Sequence, residues 1–175
     1  KIICVINPGN PTGNCLSEPD IYDILNTAKQ HNLIVLFDEV YQANWYQPNS
    51  HFVSARSVKH KHREFAGVQL FSFHSCSKGL LGECGKRGAF FHYDGDDVNI
   101  HEQLYKLASI SLCPNLQGQL LVSLMVSPPK PGDHSYDEYH RETTEIFESL
   151  RRRSIKLCDA FNAMHGVTCQ PAMVQ

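Results

Sequence analysis

The sequence predicts an α/β domain built on a mainly parallel sheet with flanking helices. Three observations carry that reading. Short apolar, β-branched runs alternate along the chain with segments whose apolar residues recur at helical spacing. One of those runs, Leu33 to Phe37, is apolar throughout, as expected of a parallel strand buried on both faces. The chain's 175 residues, 42% hydrophobic and 19% charged, suffice for one domain with a real core and do not match a disordered composition.

Taken in order, Lys1 to Ile6 read as the first strand, and a chain that opens inside a strand is expected to be a piece of a longer one. The strand breaks into Asn7 to Gly13, a stretch of Asn, Pro, Thr and Gly that reads as a turn-rich loop. Ser17 is a helix N-cap with an acid, Asp20, three residues on. Ile21, Ile24, Leu25 and Ala28 then fall on one helical face, which predicts a helix over 19–31. Leu33 to Asp38 form the second strand. The polar stretch 44–64 is expected at the surface as helix or loop. Val68 to Phe73 and Gly88 to Tyr93 are the third and fourth strands, separated by a glycine-punctuated loop from His74 to Arg87. Helices are expected over 98–109 and 114–126. Ser127 to Gly132, with three prolines, reads as a linker. Beyond it, Tyr139, Ile146, Leu150, Leu157 and Phe161 define one long amphipathic helix over 136–163, with Arg151 to Arg153 partly on its wet side.

Composition narrows the function classes. Sixteen Lys and Arg against eighteen Asp and Glu give a net charge of −2, so no cationic face for nucleic acid is implied. No apolar run approaches the roughly 18–20 residues of a membrane helix. Seven cysteines, an odd number with no Cys-x-x-Cys pair, argue against a disulfide framework or a zinc ribbon. They favour a reducing, intracellular compartment, and several lie in apolar runs where Cys is expected to be buried. His60 and His62 lie between Lys59 and Arg63 with no third metal ligand nearby, so that stretch reads as a solvated basic loop and no metal is expected.

Ligands of open parallel sheets bind at the carboxyl ends of the strands. Three polar features fall there: the loop Asn7 to Gly13, the run Asp38 to Tyr41, and the run Ser75 to Lys78. Taken singly, Lys78 reads as a solvated surface lysine, Asp38 as the cap of its own loop, Asn10 as turn chemistry and Arg87 as a surface ion-pair partner. Their combination and order change that reading. Asn10-Pro11-Thr12-Gly13 precedes Asp38-Glu39-Val40-Tyr41 by 28 positions. Lys78, which ends Ser75-Cys76-Ser77-Lys78, follows Asp38 by 40, and Arg87, just before Gly88, follows Lys78 by nine.

The four stretches, in this order, resemble the class I/II aminotransferases, which are fold type I enzymes dependent on pyridoxal 5′-phosphate (PLP). The flanking text, including INPGNPTG, DEVYQ, FHSCSKGLLGECGKRG and LCPNLQGQ, is most similar to the alanine-specific branch, as is the nine-residue step from Lys78 to Arg87. The resemblance covers nearly the whole chain. It implies that residues 1–127 are part of the PLP-binding large domain and that 128–175 are the linker and start of a small C-terminal domain. It further implies that Lys78 binds the cofactor aldehyde covalently and then serves as general base and acid at the substrate Cα. Asp38 would pair with the pyridine nitrogen, Tyr41 and Asn10 with the ring oxygen, and Ser75, Ser77 and Arg87 with the phosphate. Lys78 is expected to be partly desolvated, because its chemistry needs the neutral amine. The Asn10-Pro11 bond is a candidate cis peptide.

The activity so implied is alanine transamination: L-alanine and 2-oxoglutarate give pyruvate and L-glutamate. The same resemblance implies a homodimer in the full-length parent and a cytoplasmic or mitochondrial location. It also places the phosphate loop, the aromatic that stacks on the ring and the arginine that grips the substrate carboxylate outside these residues, so the isolated piece is expected to be inactive. Three rival readings remain open at this point. One is another PLP-dependent aminotransferase or a lyase of the same fold, and one is a non-catalytic truncated product. The third, a dinucleotide-binding domain, lacks the Gly-x-Gly-x-x-Gly turn after a strand.

Overall fold

The computed structural model describes residues 1–46 and 51–172. Its sheet has four strands in the order β1 (Ile2–Ile6), β2 (Ile34–Asp38), β3 (Leu70–Ser75) and β4 (Ala89–Asp94). The first three run parallel, with Ile6 beside Asp38 and Asp38 beside Phe73. β4 turns back antiparallel on β3, so that Ala89 lies opposite Ser75. The helices are α1 (Glu18–His31), α2 (Ala55–Lys61), α3 (Val98–Ala108), α4 (Leu116–Val126) and α5 (Tyr136–Asn162). Each matches a sequence-predicted segment to within about two residues, and α2 falls inside the polar stretch 44–64, expected as helix or loop.

Local chemistry sets the ends of α1. Ser17 Oγ accepts the Asp20 N–H and Asp20 Oδ2 accepts the Ser17 N–H at 2.8 Å, a closed capping box that satisfies two otherwise orphaned groups. Asn32 ends the helix in the left-handed region. The buried face of α1, made by Ile21, Leu25 and Ala28, packs with Val58 of α2 and with Phe65 on Val35, Phe37 and Leu70 of the sheet. This core lies on one side of the sheet only. Because successive strand residues point to opposite faces, Val35 and Phe37 are buried while Ile34 and Leu36 are half-buried. The expectation of a strand buried on both faces is thus corrected for β2. Among the described residues nothing covers the far side of β1, where Ile2 and Ile6 are 62% and 48% exposed.

Two further expectations change for the same kind of reason. Cys4 projects onto that open face and is exposed, whereas Cys76 alone of the seven free cysteines is buried. The stretch from Lys59 to Arg63 is not a solvated loop: it ends α2 and forms the next turn. Lys59 is 5% exposed and donates at 2.7 Å to both the carbonyl and Oδ1 of Asp94, where β4 ends. His60 Nε2 lies 2.6 Å from the other Asp94 oxygen. The lysine's stem lies in the α2–sheet interface and its charge is neutralised at the edge, which sequence spacing could not reveal. No helix among the described residues is long and apolar enough to cross a membrane.

Candidate active site

Parallel pairing brings the carboxyl ends of β1, β2 and β3 to one edge, and the start of β4 joins them. A cavity of about 380 Å³ opens there. Asn10, Asp38, Tyr41, Ser75, Ser77 and Lys78 line it, with Phe73 and Phe90 as apolar walls. Six of the seven residues singled out from the sequence therefore meet in one place.

The loop after β1 is tied down by Asn7, a buried residue whose side-chain oxygen accepts the Leu16 N–H at 2.8 Å and whose backbone N–H donates to the Asp38 carbonyl at 2.9 Å. Both Asn7-Pro8 and Asn10-Pro11 are cis. The loop delivers Asn10, whose Nδ2 donates to the Tyr41 hydroxyl at 3.3 Å. Asp38 ends β2 half-buried. One of its oxygens accepts the Val40 N–H at 3.1 Å, the local cap that the residue alone suggested, and the other has no partner among the described residues. The next residue, Glu39, points the other way. It is 4% exposed and accepts the Ala55 N–H at 2.9 Å and the Ser54 hydroxyl at 3.0 Å. Burial pushes its carboxyl above the ordinary glutamate value, against the hydrogen bonds that pull it down. Glu39 thus fastens the strand end carrying Asp38 and Tyr41 to the start of α2.

After β3 the chain turns sharply. Ser75 Oγ accepts the Ser77 N–H at 3.3 Å, and Lys78 follows with Nζ 5.8 Å from the centre of the Tyr41 ring. Asn44, buried, accepts the Gly79 N–H at 3.0 Å, and Gly79 takes a positive φ of 65° that a residue with a Cβ rarely adopts. His74 flanks the same turn. Burial pushes its imidazole below the usual value, while the charge of Asp38 acts in the opposite sense, so it stays neutral near pH 7. Lys78 itself is exposed rather than desolvated among the described residues. Arg87 does not line the cavity: its Nη1 donates to the Cys84 carbonyl at 2.7 Å.

The arrangement offers an amine, a carboxylate with a free oxygen, a phenol polarised by an amide, and two hydroxyls, all facing one cavity. Glu39, Asn7 and Asn44 hold it together without lining it. None of the three carried a sequence signal of its own, since each acts on a partner that only the fold brings near.

Comparison with known proteins decides the family. A model of the class I and II aminotransferases matches residues 1–173. The chain belongs to that family. These aminotransferases are dependent on PLP. Among its relatives, alanine aminotransferase 2, mitochondrial, of Arabidopsis thaliana is 48% identical over 98% of this chain and 32% of its own length. Glutamate–glyoxylate aminotransferase 1 of the same plant is 47% identical over 97% of this chain and 36% of its own. The chain therefore spans about a third of the length of the curated relatives it matches. A solved alanine aminotransferase from Pyrococcus furiosus superposes with a TM-score of 0.81 over 99% of this chain and 40% of that one. At 23% identity that likeness shows the shared fold.

Proposed function

We propose that the full-length protein is an alanine aminotransferase that passes the amino group of L-alanine to 2-oxoglutarate, giving pyruvate and L-glutamate, with PLP as cofactor. The observation that carries the reading is the single cavity in which Asn10, Asp38, Tyr41, Ser75, Ser77 and Lys78 meet. Its volume lies within the range of about 300–1,000 Å³ usual for small-molecule sites. The donor set also fits the cofactor group by group. An amine suits its aldehyde, a free carboxylate oxygen its ring nitrogen, a phenol its ring oxygen, and hydroxyls with a guanidinium its phosphate.

Bound PLP supplies an electron sink that stabilises negative charge at the Cα of the reacting amino acid. The chain's own residues do the rest. Lys78 Nζ would take the proton from the Cα of L-alanine and, in the second half of the exchange, supply one to the carbon that becomes the Cα of L-glutamate, the role of a positioned general base and acid. Asp38 would hold the ring nitrogen in its protonated form through the oxygen that does not cap its own loop. Tyr41, its hydroxyl held by the Asn10 amide, would hydrogen-bond the ring oxygen. Ser75 and Ser77 would hold the phosphate, and Arg87, whose guanidinium rests on the Cys84 carbonyl, would join them. In this reading residues 1–127 belong to the large domain and 128–175 open the small one. The full-length protein is a homodimer and works in the mitochondrion or the cytoplasm.

The near-equal likeness to a glutamate–glyoxylate aminotransferase favours one second reading, glyoxylate as amino acceptor. The test uses the full-length protein. Wild type should form pyruvate from L-alanine and 2-oxoglutarate, and Lys78→Ala should lose both that turnover and the visible absorbance of bound cofactor. An unchanged spectrum in Lys78→Ala would sink the lysine assignment. Glyoxylate outpacing 2-oxoglutarate as acceptor would select the second reading.

A further inference from the structure

We propose that Asn115 is a positioning residue that sets the backbone of Arg87, and through it the grip on the anionic end of the cofactor. The inference rests on the reading above that Arg87 binds the phosphate. Arg87 sits at φ 56° and ψ 55°, the left-handed region that a residue with a Cβ occupies only when its surroundings impose it. The imposing contact is the Asn115 side chain. Its Nδ2 donates to the Arg87 carbonyl at 3.0 Å, and its Oδ1 accepts the Gly118 N–H at 2.7 Å as the N-cap of α4. One amide group thus joins a helix start to the turn that leads into β4.

The seam around that amide is backbone against backbone. A Cβ on Gly88 would lie 2.6 Å from the Gly118 carbonyl, and one on Gly118 would lie 2.7 Å from the Arg87 carbonyl, so neither position admits a side chain without moving main chain. Lys86 Nζ adds a contact to Gln117 Oε1 at 3.3 Å. On the other side, the Gly88 carbonyl accepts the Cys76 N–H at 3.0 Å, between the two serines of the cavity. The left-handed turn at Arg87 therefore directs its Cα–Cβ bond relative to Ser75 and Ser77. The exposed guanidinium rests on the Cys84 carbonyl, so its own contacts do not fix the backbone from which it reaches.

The two roles of Asn115 separate by mutation. Asn115→Asp keeps an acceptor for the Gly118 N–H and has no donor for the Arg87 carbonyl, whereas Asn115→Ser keeps the cap without adding charge but replaces the forked amide by a single hydroxyl on a shorter side chain that does not span both partners. The measurement is equilibrium binding of PLP and of pyridoxal, which lacks the phosphate, to the full-length apoprotein, followed by absorbance. Arg87→Ala should cut the PLP preference over pyridoxal. Both Asn115 variants should cut that preference by about tenfold, the scale of one lost hydrogen bond. Their pyridoxal affinity should stay at the wild-type value and their thermal midpoints within a few degrees of it. If Arg87→Ala lowers the preference and the Asn115 variants leave it unchanged, or weaken both ligands equally, the proposal is wrong. If Arg87→Ala itself leaves the preference unchanged, the assignment of Arg87 to the phosphate fails instead.

Discussion

Replacing Glu39 tests how the strand end that carries Asp38 and Tyr41 is held. Its carboxylate receives the Ala55 N–H and the Ser54 hydroxyl. Ala55 is fully buried, so in Glu39→Ala its N–H finds neither protein nor water, a loss of about 2–3 kcal/mol. Ser54 is only half-buried and rehydrates, adding about 1 kcal/mol or less. Against this, the variant escapes the burial that raises the Glu39 carboxyl. The net expectation is about 2 kcal/mol, or about thirtyfold in an opening equilibrium. The assay is hydrogen exchange at the Val58 amide, which bonds to the Ser54 carbonyl in the first turn of α2. Glu39→Gln keeps the shape and one acceptor without the charge, and should stay within a few-fold of wild type near pH 7. The pH dependence has a definite sign. The folded value lies above the unfolded one, so between them the folded chain holds a proton that the unfolded chain has released. Stability therefore falls as pH rises through that window, and Glu39→Gln should flatten the slope. Equal exchange in Glu39→Ala and Glu39→Gln, or a wild-type slope of opposite sign, would refute the reasoning.

Other substitutions probe other joints. Lys59→Met should destabilise by about 3 kcal/mol, read from urea unfolding, because it leaves the Asp94 carboxylate and carbonyl without their buried cation. Burial alone would raise the Asp94 carboxyl, but the bond and charge of Lys59, with His60, hold it below the usual range. The stability it contributes is complete above the ordinary aspartate value and is lost as pH falls through the folded one, a loss that Lys59→Met should shrink. Ser17→Ala should cost about 1 kcal/mol by opening the capping box, and Ser17→Asn should restore most of it. Gly88→Ala should cost about 1–3 kcal/mol and weaken cofactor binding, since its Cβ meets the Gly118 carbonyl and the Cys76 sulfur.

What the chain itself discloses is whatever local chemistry decides. Ser17 and Asp20 announce α1 because both halves of the cap lie within four residues, and the 7, 4, 7, 4 spacing from Tyr139 to Phe161 announces α5. The edge that gathers Asn10, Asp38 and Lys78 follows from parallel order, which the strand–helix rhythm implies. Features that depend on distant partners stay hidden. Lys59 looks like its neighbours Lys61 and Arg63, and only Asp94, 35 residues on, makes it a buried cation. Glu39 is one acid beside another, and only Ala55 distinguishes it. Cys4 lies in a run as apolar as any core strand, yet its face has no cover among the described residues.

The antiparallel turn of β4 is what lets a short sequence interval serve the cavity. β3 ends at Ser75, and the chain returns to pair at Ala89 opposite it. Had β4 run parallel, a crossover would have carried its first residue to the far end of the sheet, about 20 Å away for a six-residue strand. Arg87 and Gly88 would then have been lost to the edge where Lys78 stands. Because β4 reverses, the residues just before it stay beside the residues just after β3. The loop of 76–88 needs only enough length to form the Lys78 turn and the left-handed step at Arg87. The nine-residue interval from Lys78 to Arg87 is therefore a constraint of strand direction as well as of chemistry. Deleting Gly85, which has open space around it, should leave the β3–β4 pairing intact while displacing Arg87. Loss of PLP preference over pyridoxal with unchanged exchange protection at the β4 amides would show that the two properties separate. Loss of both together would show that the loop length is set by the sheet rather than by the site.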